Sequence, residues 1–118
     1  MFCGALAEEG KASALESRGV QVHRTRTKAP RVEDVLQNLG EMAFSSVLVE
    51  GGGRIVTSLL EKKLADKLVL TIAPKLVGGR EAPSFFQGKG AGEIADALPL
   101  RKTQVLSMKK DVIFEGYL

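Results

Sequence analysis

One stretch of this sequence combines a carboxylate, a run of glycines and a cation in a spacing suited to anion chemistry. It is Glu50-Gly51-Gly52-Gly53-Arg54, preceded by the apolar run Val47-Leu48-Val49 and followed by Ile55-Val56-Thr57-Ser58. A short apolar run reads as a strand, and an apolar stripe at helical spacing begins just after the glycines. Strand, glycine turn and helix together deliver unpaired backbone N–H groups to a phosphate. Glycine lets the chain turn and leaves room for the ligand, and the first helical turn carries free amides and the positive end of the dipole. The spacing matches neither G-x-G-x-x-G nor a P-loop. A tight turn without a ligand is the plainer reading of the same glycines, and the residues leave both open.

The elements that must position this stretch follow from periodicity. Residues 8–18 read as a helix with Ala12 and Leu15 inward and Gly19 as its stop. Residues 20–25 alternate apolar and polar, as a strand does, and place His23 outward. Val32, Val35, Leu36 and Leu39 form one helical face that ends at Gly40. Residues 45–50 form the strand before the glycines. Ile55, Val56, Leu59, Leu60 and Leu64 form the helix after them. Residues 66–73 are apolar on both faces, which predicts a strand covered on both sides. Residues 103–108 and 112–117 read as a hairpin turning at Lys109-Lys110. The order predicts one α/β domain over residues 1–118, with a mostly parallel sheet flanked by helices and a C-terminal antiparallel hairpin.

Composition narrows the function classes. The chain has 118 residues, 44% hydrophobic and 26% charged, ordinary for a globular domain. No apolar run approaches the roughly 20 residues of a membrane span, and a cytoplasmic location is expected. One Cys and one His, Cys3 and His23, offer no metal cluster. A Cys-His nucleophilic pair would lack an orienting third group. The net charge of +3 is concentrated in segments such as Arg24, Arg26, Lys28 and Arg31. With no Trp and one Tyr, these read as a solvated face or a small-anion site before a nucleic-acid surface.

Two motifs together, Leu48-Val49-Glu50-Gly51-Gly52-Gly53 and Leu68-Val69-Leu70-Thr71-Ile72-Ala73-Pro74-Lys75-Leu76-Val77-Gly78-Gly79, resemble the reductase domain of the bifunctional riboflavin-biosynthesis deaminase-reductase. The resemblance covers nearly the whole chain but only the back part of the family domain, so N-terminal strands of its dihydrofolate-reductase-like fold are missing here. It implies a reductase that uses NADPH to reduce the ribosyl group of 5-amino-6-(5-phosphoribosylamino)uracil. It implies that Glu50 touches the small-molecule substrate and that Gly52, Gly53, Arg54, Ile55, Val56, Thr57 and Ser58 hold the cofactor pyrophosphate. No catalytic residue and no metal are assigned. By the same resemblance Arg24, Arg26 and Lys28 are candidates for a 2′-phosphate contact, and Gly78 and Gly79 read as a structural turn. In the family fold another strand separates those expected at 45–50 and 66–73. These two therefore either pair directly or take a strand from another chain, and a homodimer is expected. A non-catalytic module that keeps the dinucleotide loop and an oligomer surface is the alternative.

Overall fold

The computed structural model describes residues 1–118, which form two compact units, Met1–Leu48 and Val49–Leu118.

In the first unit, β1 (Phe2–Cys3), α1 (Glu9–Glu16) and β2 (His23–Arg24) make a small parallel crossover, and α2 (Val32–Glu41) follows. Phe2 lies opposite His23 and Cys3 opposite Arg24. The expected strand over 20–25 shortens to two residues because its only ladder partner is two residues long. Thr25 continues the pairing, donating its N–H to the Cys3 carbonyl at 2.9 Å. The chain passes so close beside Gly4 that a Cβ there would lie 1.9 Å from the Lys28 carbonyl oxygen. His23 is half-buried and its ring tilts against Phe2, centroids 5.2 Å apart, so it packs within the unit. Ala12 is buried and Leu15 half-buried on α1, as the periodicity requires. Val32, Val35, Leu36 and Leu39 on α2 are all half-buried.

The expected strand over 45–50 does not form. Residues 40–50 are all exposed, and 45–50 make no backbone hydrogen bond. β-Propensity reports fit to a paired, half-buried surface. Val47, Leu48 and Val49 have the side chains for that surface and lack the neighbouring backbone.

In the second unit, α3 (Gly53–Glu61) precedes β3 (Lys67–Ile72), a 3-10 turn at Ile94–Asp96, β4 (Arg101–Met108) and β5 (Asp111–Tyr117). The sheet order is β3-β5-β4. Both pairings are antiparallel, which corrects the expectation of a mostly parallel sheet: parallel pairing is confined to β1 and β2. The hairpin turns where expected, with Lys109 at φ 57°. β3 is also less covered than its apolar alternation suggests. Leu68 and Leu70 are half-buried, while Val69 and Ile72, on opposite faces of the strand, are 53% and 54% exposed, so neither face is fully covered.

A polar clasp crosses this sheet. Glu115 on β5 receives the Lys67 ammonium of β3 at 2.7 Å and a hydrogen bond from the Gln104 amide of β4. Its side chain is only 12% exposed. The hydrogen bond to Glu115 raises the Lys67 ammonium above its ordinary value, and the Tyr117 ring centroid lies 5.4 Å from it.

All three helices end in the same way. A left-handed residue follows the C-cap, directly in α2 and α3 and one residue later in α1, and its N–H and the next one turn back onto the last carbonyls. Gly19 serves α1 at φ 81°, but Ala43 serves α2 at φ 64° and Lys63 serves α3 at φ 54°. Phe44 N–H reaches the Leu39 carbonyl at 3.1 Å and Leu64 N–H the Leu59 carbonyl at 2.9 Å. A side chain at positive φ costs about 1–2 kcal/mol, partly offset by the greater unfolded-state freedom of glycine. Ala43→Gly and Lys63→Gly are each expected to stabilise the chain by about 0.5–1 kcal/mol. Denaturant midpoints at constant slope check this; an unchanged or lowered midpoint in both variants rejects it.

Candidate dinucleotide site

The candidate site lies at the start of α3, entirely within the second unit. Gly52 is the N-cap, at φ −70° and ψ 166°, and offers no side chain to cap the helix. The Ile55 and Val56 N–H groups turn back to the Gly52 carbonyl at 3.0 and 3.2 Å. The Gly53 and Arg54 amides have no acceptor in the chain, and no acidic residue occupies the first turn. Arg54 is exposed beside them. Free amides, the dipole and a guanidinium therefore converge on one end of the helix, an arrangement that favours an anion.

An open pocket of about 430 Å³ lies here, with Gly52, Gly53, Arg54 and Ile55 on one side and Pro83, Ser84 and Gln87 on the other. The three glycines serve it differently. A Cβ at Gly51 would meet the Ile55 side chain at 3.1 Å, which can give slightly. A Cβ at Gly53 would lie 2.6 Å from the Ser84 carbonyl oxygen, so this glycine admits the chain's own loop. A Cβ at Gly52 would meet nothing within 4 Å. Gly52 alone of the three leaves its space unused by the protein.

The remaining expected residues divide along the helix. Ile55 is exposed, Val56 and Ser58 are half-buried, and Thr57 is 3% exposed. The Thr57 hydroxyl accepts the Gln87 backbone N–H at 2.8 Å. Glu50 stands on the exposed run before the glycines with no ion pair or hydrogen bond. Gly78 and Gly79 adopt φ of 60° and 100°, the left-handed geometry of a turn. In the first unit, the Arg24 guanidinium is engaged by Glu9 at 2.5 Å and by the Ala7 carbonyl at 2.8 Å, while Arg26 and Lys28 are exposed without a side-chain partner. Sequence reasoning missed Pro83, Ser84 and Gln87, reading their segment only as irregular. The signal available was Gly88, whose missing Cβ admits Thr57 Cγ2 and the Glu61 carboxylate.

A profile of the RibD C-terminal domain matches residues 7–114. The chain belongs to the RibD C-terminal domain family. Among RibD proteins, that of Actinobacillus pleuropneumoniae is 35% identical over 96 residues, which cover 81% of this chain and 26% of that protein. A family relative in Methanothermobacter thermautotrophicus, the 2,5-diamino-6-ribosylamino-4(3H)-pyrimidinone 5′-phosphate reductase, is 35% identical over 81 residues, 69% of this chain and 38% of that protein. Acinetobacter baumannii RibD shares the fold, with a TM-score of 0.78 at 20% identity over 98% of this chain and 30% of that one. The chain thus spans 26% and 38% of the lengths of these two curated relatives. The resemblance read from the two glycine motifs is confirmed at the level of the family.

The glycine geometry generates a stability test. Gly53→Ala is expected to cost about 1–3 kcal/mol by forcing the Ser84 carbonyl away, the usual scale of overpacking. Gly52→Ala, with extended backbone and open space, should cost less, about 0.5 kcal/mol, because it loses only the preference of the N-cap for glycine over alanine. Urea unfolding of both variants decides it, and equal destabilisation would reject the division of roles.

Proposed function

We propose that this chain carries the dinucleotide-binding part of a riboflavin-biosynthesis reductase, with NADPH as cofactor and 5-amino-6-(5-phosphoribosylamino)uracil as substrate. The observation that carries the reading is the unused space at Gly52, set against two unpaired amides and Arg54 at the α3 N-terminus. A pyrophosphate fits this donor set, with the Gly53 and Arg54 amides and the Arg54 guanidinium as its ligands. When bound, NADPH supplies the hydride that converts the ribosyl group to a ribityl chain. The protein binds the diphosphate and fixes its position against the helix. Glu50, one residue before the glycines, is assigned to the substrate. The names of the archaeal reductase and the RibD relatives support the reaction class. The family match from residue 7 to 114 spans both units, which supports treating residues 1–118 as part of one reductase domain. A cytoplasmic location goes with this pathway role.

A second reading is a module that binds the cofactor and turns nothing over. It is favoured by Glu50, which stands in solvent on an unpaired run with no group beside it to complete a substrate site.

Gly52→Val places a branched side chain where the pyrophosphate lies. It is expected to weaken NADPH binding at least tenfold, about 1.4 kcal/mol, without unfolding the chain. Glu50→Gln should leave NADPH affinity unchanged and lower turnover of the pyrimidine substrate. Calorimetry of the parent and both variants checks this. Equal NADPH affinity in Gly52→Val places the pyrophosphate elsewhere, and cofactor binding without any turnover by the parent selects the second reading.

The sheet of the second unit supports a homodimer. Leu106 and Met108 lie two residues apart on one face of β4 and are 47% and 59% exposed, and the outer edge of β3 has no strand beside it. Contiguous apolar exposure and an open edge are features that natural proteins cover. Light scattering at micromolar concentration is expected to give twice the 12.6 kDa chain mass. A monomer that unfolds cooperatively would reject the dimer.

A further inference from the structure

The pocket beside α3 has one wall that the helix does not supply. Pro83, Ser84 and Gln87 face the pocket across from Gly52, Gly53 and Arg54. Their segment carries no helix or strand, so its position depends on what ties it down. Three contacts do. The Gln87 N–H donates to the buried Thr57 hydroxyl at 2.8 Å. The Ser84 carbonyl sits over Gly53, where a Cβ would stand 2.6 Å away. Gly88 fits against α3 so closely that a Cβ would lie 2.4 Å from Thr57 Cγ2. Within the segment, Gln87 Nε2 donates to the Ser84 carbonyl at 3.3 Å and the Ser84 hydroxyl donates to the Phe86 carbonyl at 2.7 Å. The contacts to α3 fall on Gly53 and Thr57, one turn apart on the helix that presents the free amides.

We infer that residues 83–87 form a wall of the dinucleotide pocket and that Thr57 is a positioning residue, holding this wall through the Gln87 amide and making no contact to phosphate itself. The inference rests on the cofactor reading above and deepens it. Thr57 lies too deep to meet a ligand, at 3% exposure. The wall instead brings the polar side chains of Ser84 and Gln87 to the pocket, opposite the α3 amides. A dinucleotide that enters is gripped from two sides, by the helix end and by a loop whose distance from it is set at Thr57.

The test uses the whole chain, NADPH calorimetry and amide exchange at Gln87. Thr57→Val keeps the shape and removes the acceptor. It should weaken NADPH binding about tenfold, the scale of one buried hydrogen bond, and should expose the Gln87 amide to exchange. Thr57→Ser keeps the acceptor and should restore both. Gly88→Ala forces the loop off the helix while leaving every pocket-lining residue and the Thr57 hydroxyl intact, and should weaken binding similarly even if Thr57→Val does not fold. Loss of affinity in Thr57→Val with Gln87 still protected would make Thr57 a direct ligand and overturn the inference. Parent-like affinity in Thr57→Val or Gly88→Ala would remove the wall and leave the cofactor reading standing. A parent chain that binds no NADPH would overturn the cofactor reading and this inference together.

Discussion

The second unit depends on the pairing of β5 with both of its neighbours. β5 is the only strand of that unit with a ladder on each edge, and its residues meet β3 from Lys67 to Ile72 and β4 from Arg101 to Met108. A buried backbone N–H or C=O without a partner is costly, so strands form where another backbone is in reach and stop where it is not. Phe114 shows the geometry, lying opposite Leu70 on one side and Val105 on the other. Glu115 uses the adjacent register to gather a lysine from one neighbour and an amide from the other. β3 and β4 owe their extended form to the strand between them.

The site obeys a second constraint, of close approach. Helix α3 can be reached by another piece of backbone only where side chains are absent, at Gly53 and on the loop side at Gly88. The glycine run therefore contains residues with opposite relations to space. Gly53 is filled by the protein, and Gly52 is left for something else. A carboxylate anywhere in the first turn would cancel the attraction of the free amides for an anion. None is present, and Arg54 adds to that attraction.

Much of this was legible in the sequence. The three helices, the hairpin and the strand before it follow from spacing, with boundaries within a few residues. The glycine-started helix was evident because Gly51, Gly52 and Gly53 interrupt an apolar pattern that resumes with helical period. Three features were not legible. The run at 45–50 has every local feature of a strand, and strand formation is decided by a partner that local sequence cannot supply. Sheet direction followed from treating that run as paired, so the parallel expectation fell with it. The role of Pro83, Ser84 and Gln87 is a matter of which loop lies against which helix, and only Gly88 hinted at it. The family, by contrast, was carried by two short motifs read together.

The exposed run at 45–50 sets a colloidal problem for this chain. Ser45-Ser46-Val47-Leu48-Val49 is a short window of high β-propensity without proline or charge, the composition from which cross-β aggregates are built. Natural sequences place a charged residue at the border of such windows, where stacking identical chains would bring like charges together. Glu50 holds that border here. The carboxylate proposed for the substrate thus also borders the segment that carries it, and neutralising it would remove the charge that opposes stacking of identical chains.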